Sequence, residues 1–105
     1  MSDQLGKCAD WKAWHDHEPG GPATLHVAGK CEFLTGGYKV ELKPVKPQGI
    51  NPRIYILEKI VHPPTGAAND IVTHVEVHYT EKTNAHYDEI LIVPDKVTIP
   101  VKEVS

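Results

Sequence analysis

Thr24-Leu25-His26-Val27-Ala28-Gly29-Lys30-Cys31-Glu32-Phe33 decides the fold class of this chain. Leu25, Val27, Cys31 and Phe33 share one parity, with Gly29 among them, and His26, Lys30 and Glu32 hold the other. Successive side chains of a strand point to opposite faces, so this alternation predicts a strand with one face buried. Gly29 interrupts the apolar series with a residue that has no Cβ. It marks either a bulge or a close approach of another group to the backbone.

The same texture continues toward the C-terminus. Thr35-Gly36-Gly37 reads as a turn, and Tyr38 to Lys43 alternates Tyr38, Val40 and Leu42 against Lys39, Glu41 and Lys43. Pro44 and Pro47 limit that strand, because proline cannot donate to a ladder. Gln48 to Pro52 connects to a strand over Arg53 to Val61, where Ile54-Tyr55-Ile56-Leu57 is apolar on both faces. Its β-branched residues favour strand over a short helix. His62-Pro63-Pro64-Thr65-Gly66 ends it. Further strands are predicted over Ile71 to Thr80, Tyr87 to Val93 and Val97 to Val104, the last placed at a sheet edge by Pro100.

Toward the N-terminus the texture changes near residue 23. Residues 1–10 are polar and loose at the extreme terminus, and residues 1–22 read as an irregular segment packed on the sheet. Asp10 caps one short helical turn, with Cys8, Trp11 and Trp14 three apart along one side. Pro19-Gly20-Gly21-Pro22 is a break. Six strands are thus legible, and a seventh has room before residue 20 or within residues 44–52. The expectation is a single all-β domain over 1–105, an antiparallel immunoglobulin-like β-sandwich of six or seven strands.

Composition narrows the function. The chain has 105 residues, enough to bury a core without a staple. It has no apolar run of ~18 residues and so no transmembrane helix. Net charge is −3, and Arg53 is the one arginine among eleven basic residues scattered along the chain. Nucleic-acid binders cluster their basic residues, because phosphate contacts dominate affinity, so a nucleic-acid partner is not expected. No basic segment followed by an apolar one opens the chain, which reads as cytoplasmic on that ground.

The chemistry-bearing residues are few. Ser2 and Ser105 are the only serines, which argues against a serine hydrolase. No Cys-x-x-Cys motif or phosphate-binding glycine loop is present. Cys8 and Cys31 have two readings. One is a disulfide tying the N-terminal segment to the sheet, which implies an oxidising compartment such as the periplasm. The other is two free thiols, one of them buried. Seven histidines raise the question of a metal. His74-x-Glu76-x-His78 lies along one strand face, and neighbours on that face are about 6.5–7 Å apart. His74 and His78, about 13 Å apart, need a further ligand such as His26 or His86 to make a site. Zinc or copper would suit such ligands. Trp11, Trp14, His15 and His17 form the other candidate, because aromatic residues in irregular segments are enriched at recognition surfaces.

Thr35-Gly36-Gly37-Tyr38-Lys39-Val40-Glu41-Leu42, with Pro94-Asp95 and the Val97-Thr98-Ile99-Pro100-Val101 strand, resembles small bacterial immunoglobulin-like domains in which a Thr-Gly-Gly-Tyr turn opens an alternating strand. A protease-associated, chaperone-like family carries a similar turn. The resemblance covers residues 35–104. It implies a sandwich fold and carries no catalytic residues, and the Trp-rich segment has no counterpart in it. The expectation is a non-catalytic binding or interaction module without a cofactor, monomeric or weakly dimeric. Its partner is a protein or small ligand, and Trp11, Trp14, His15 and His17 are its surface. The alternative is a metal-binding protein using His74, Glu76, His78 and His26.

Overall fold

The computed structural model describes residues 7–17, 20–66 and 71–104. Seven strands follow one another: β1 (Lys7–Asp16), β2 (Thr24–Phe33), β3 (Lys39–Pro44), β4 (Ile54–His62), β5 (Thr73–Lys82), β6 (Glu89–Val93) and β7 (Val97–Val104). The described residues contain no helix, so none is long and apolar enough to cross a membrane. Residues 1–6 of the expected loose terminus lie outside the described residues, as does Pro19 of the expected break.

The six strands expected from the sequence are all present within two residues of their expected limits. The seventh lies before residue 20, where an irregular segment and a helical turn were expected. β1 is an interior strand between β7 and β2. Its register against β2 shifts between Ala9 and Lys12, and Asp10 within the shift has φ 58°. This bulge inserts one residue, so the inward series runs Cys8, then Trp11, Ala13 and His15. The parity change hides the alternation, and the three-residue step from Cys8 to Trp11 imitates a helix. Opposite the bulge, the Trp11 indole lies on Gly29, where an added Cβ would come within 2.5 Å of Cε3. The missing side chain in β2 is the space the tryptophan fills.

The strand order is β3-β4-β6-β7-β1-β2-β5. β1/β7 and β4/β6 pair parallel, and the other four pairs are antiparallel. The end strands β3 and β5 meet across the remaining gap, so the sheet is mixed and nearly closed, like a barrel. The expected antiparallel sandwich is corrected here in its pairing. Alternation reports which face of a strand is buried and carries no information about its neighbour's direction.

Pro100 is also corrected, from an edge to an interior strand. The first half of β7, through Pro100, pairs with β6, and Val101 to Val104 pair with β1. Proline, which lacks an N–H, stands where the strand passes from one neighbour to the other. The interior of the sheet is filled by Leu25, Val27, Phe33, Leu57, Val77, Ile90 and Ile92, each at most 2 % exposed. Full burial of such a side chain contributes about 1.5–3 kcal/mol.

Cys8 and Cys31 face each other across β1 and β2 and form a disulfide, which resolves the two readings of these residues. Beside it, Lys59 of β4 points into the core, with Nζ 2.7 Å from Asp95 Oδ2 and 3.5 Å from Cys8 Sγ.

Candidate metal centre

His15 near the end of β1 and His17, one residue beyond it, share one parity. The parallel pairing with β7 sets Glu103 directly opposite His15. The connection from β5 to β6 passes the same end of the sheet and supplies Thr83 and His86. Three imidazoles and one carboxylate, from three separate parts of the chain, converge there. One ligand atom from each of His15, His17, His86 and Glu103 lies within 4.8 Å of all the others. It is the one such group of three or more among the described residues.

His15 organises the cluster and is 1 % exposed. Its Nε2 is 2.8 Å from the carbonyl oxygen of Thr83. A carbonyl only accepts, so Nε2 carries the proton and donates it. In a neutral ring the lone pair then sits on Nδ1. That nitrogen is buried and has no hydrogen-bond partner, and it faces Glu103 Oε1 at 3.5 Å. A ring lone pair and a carboxylate oxygen thus face each other, an arrangement that a cation relieves. The bond to a backbone carbonyl is also the usual outer support of a metal-ligating histidine, fixing its tautomer and ring direction.

The other members close around this pair. His17 Nε2 hydrogen-bonds Glu103 Oε1, and His86 Nδ1 is 3.8 Å from the same oxygen. The His15 and His17 rings meet edge to face, with centroids 4.3 Å apart. A tetrahedral zinc with bonds of about 2.0–2.1 Å separates its ligand atoms by about 3.4 Å, so the set needs only small side-chain rotations to close. His17, Glu103 and His86 are 36 %, 48 % and 69 % exposed, which opens the site to solvent on one side. The hydrogen bond from His17 holds the Glu103 carboxyl below its ordinary pKa, against an opposing effect of burial.

The expected surface of Trp11, Trp14, His15 and His17 is divided. Trp11 and His15 face the core, and Trp14 faces outward on the opposite side of β1, stacked on His26 at 4.9 Å. The set His74, Glu76, His78 and His26 is likewise not gathered. His26 and His78 approach each other across β2 and β5, with Nδ1 and Nε2 3.4 Å apart. His74 turns to Glu32 at 3.3 Å, and Glu76 is paired in register with Lys30. In the sequence His15 and His17 belong to the expected recognition surface. His86 was marked only as a further ligand to the other set. Glu103 carried no signal, because its place depends on the parallel pairing of β1 with β7.

A polar network lies nearby on β4 and β5. The Tyr55 and Tyr79 hydroxyls both donate to Glu81 Oε1, and Tyr55 stacks on Tyr87 at 4.5 Å. Burial, with the charge and hydrogen bond of Glu81, pushes Tyr79 up to about 12 and raises Tyr55 as well. These phenols are therefore neutral donors near pH 7. Comparison of the chain with protein-family models, curated proteins and solved structures gave no match.

Proposed function

We propose that this protein binds a divalent transition metal through His15 Nδ1, His17, His86 and Glu103. The observation that carries the reading is the buried, unpartnered Nδ1 of His15, with its proton committed to Nε2 by the Thr83 carbonyl. Three imidazoles and a carboxylate suit zinc or copper(II) better than calcium or magnesium, which prefer oxygen ligands. The solvent-facing side gives an ion a path into the site. The Cys8–Cys31 disulfide favours an oxidising compartment over the cytoplasm.

The test is zinc and copper(II) titration of untagged protein by calorimetry, with metal content measured on the same preparation. One equivalent of metal is expected. His17→Ala, His86→Ala and Glu103→Ala should each weaken binding by at least about tenfold. These residues are partly exposed, so the variants should still fold. Absence of stoichiometric binding, or affinity unchanged in all three variants, overturns the proposal.

A further inference from the structure

On the opposite side of β1 lies an aromatic row that the proposed centre does not use: Trp14 on β1, His26 on β2 and His78 on β5. Trp14 and His26 stand directly opposite in the β1/β2 register. His26 and His78 are diagonal neighbours, since His26 pairs with Thr80 and His78 with Ala28. The two imidazole centroids are 5.6 Å apart with planes 27° from parallel, yet Nδ1 of His26 and Nε2 of His78 are only 3.4 Å apart. The centroid separation exceeds the nitrogen separation by about the sum of the two ring radii. The nitrogens therefore lie between the rings and point at each other, edge to edge.

We infer that His26 and His78 form a second, two-coordinate site, for a soft monovalent d10 cation such as copper(I). Two metal–imidazole bonds of about 2 Å in a line span about 4 Å, so the nitrogens need to part by only about half an ångström. Zinc and other divalent ions require more ligands, and no third histidine, cysteine or carboxylate joins this pair among the described residues. A linear d10 ion needs only two.

Three neighbouring features bear on such an ion. Trp14 lies parallel to His26 at 4.9 Å and 6.3 Å from His78, so an indole borders the pair and reports on it, with the Lys12 ammonium 5.9 Å from the indole centroid. Both cysteines are held in the disulfide, so no thiolate competes for a soft metal. His26 and His78 also lie on the outer face of the sheet, where an ion enters without opening the core.

The site is independent of the His15 centre, and one experiment separates the two. The disulfide-bonded 105-residue protein is titrated with silver(I), as a redox-inert stand-in for copper(I), in chloride-free buffer. Indole fluorescence and the imidazole ¹⁵N shifts are followed, first with and then without saturating zinc. One zinc-insensitive equivalent of silver should quench indole emission and shift His26 Nδ1 and His78 Nε2. His26→Gln and His78→Gln should each weaken it by at least tenfold while leaving the thermal melt and zinc binding unchanged. His17→Ala should leave it intact. Silver binding that survives both glutamine substitutions, or is lost in His17→Ala or to zinc, overturns the inference.

Discussion

Replacing Asp95 with alanine strands an ammonium group inside the sheet. The Lys59 side chain is 6 % exposed and the Asp95 carboxylate 23 %, with Nζ and Oδ2 2.7 Å apart. The other atom near Nζ is Cys8 Sγ at 3.5 Å, a weak acceptor that cannot replace a carboxylate. Breaking a buried ion pair from one side costs about 3–5 kcal/mol, because the remaining charge stays desolvated. Water reaches the Asp95 side of this pair, which lowers the expectation for Asp95→Ala to about 2–3 kcal/mol. In a domain of this length, 1 kcal/mol moves the melting temperature by about 4–5 °C, so a drop of about 10 °C is expected. Thermal and urea denaturation followed by circular dichroism measure it. Lys59→Met removes the charge and keeps an apolar chain of similar length. The double variant Lys59→Met/Asp95→Ala should accordingly return to within about 1 kcal/mol of the parent. If Asp95→Ala lies within about 0.5 kcal/mol of the parent, or the double variant is as unstable as Asp95→Ala, a stranded buried charge is not the cause.

Gly29→Ala places a methyl group against three indole carbons of Trp11, the nearest at 2.5 Å. A loss of about 1–3 kcal/mol is expected, partly recovered in Gly29→Ala/Trp11→Leu, and denaturant melts of both variants decide it. Reducing Cys8–Cys31 releases a cross-link with sequence separation 23 and should lower stability by about 3 kcal/mol, read from melts with and without reductant. Glu103 has a folded pKa below its unfolded one. Its contribution is therefore complete above the unfolded value near 4.5 and disappears as pH falls through the folded value. Acid melts of Glu103→Gln should show a flatter loss of stability than the parent. Tyr55 and Tyr79 behave oppositely, since their folded values are raised. Their contribution is complete below the unfolded value near 10 and is lost as pH rises through the folded values. Phenolate absorbance of the folded protein should show Tyr79 titrating near 12.

Alternation made β2, β3, β5 and β7 legible, and runs of β-branched and apolar residues bounded by proline made β4 and β6 legible. β1 was not legible, because the bulge at Asp10 changes parity between Cys8 and Trp11 and breaks the local pattern. Gly29 was legible as a bulge or a close approach, since a missing side chain in an apolar series needs a reason, and the structure shows the close approach. Its partner Trp11 was not, because the contact joins two strands. The same division runs through the candidate site. The His15-x-His17 spacing is local and visible, whereas the facing of Glu103 and His15 depends on a parallel pair between the first and last strands.

The chain alone therefore determined strand content, most strand limits and which residues carry chemistry, because side-chain alternation and turn residues act over a few neighbours. Tertiary structure decided the mixed order of the sheet, the disulfide and the gathering of His15, His17, His86 and Glu103. Strand pairing brings together residues up to nearly ninety positions apart in sequence, such as His15 and Glu103, and no local periodicity records which strands become neighbours.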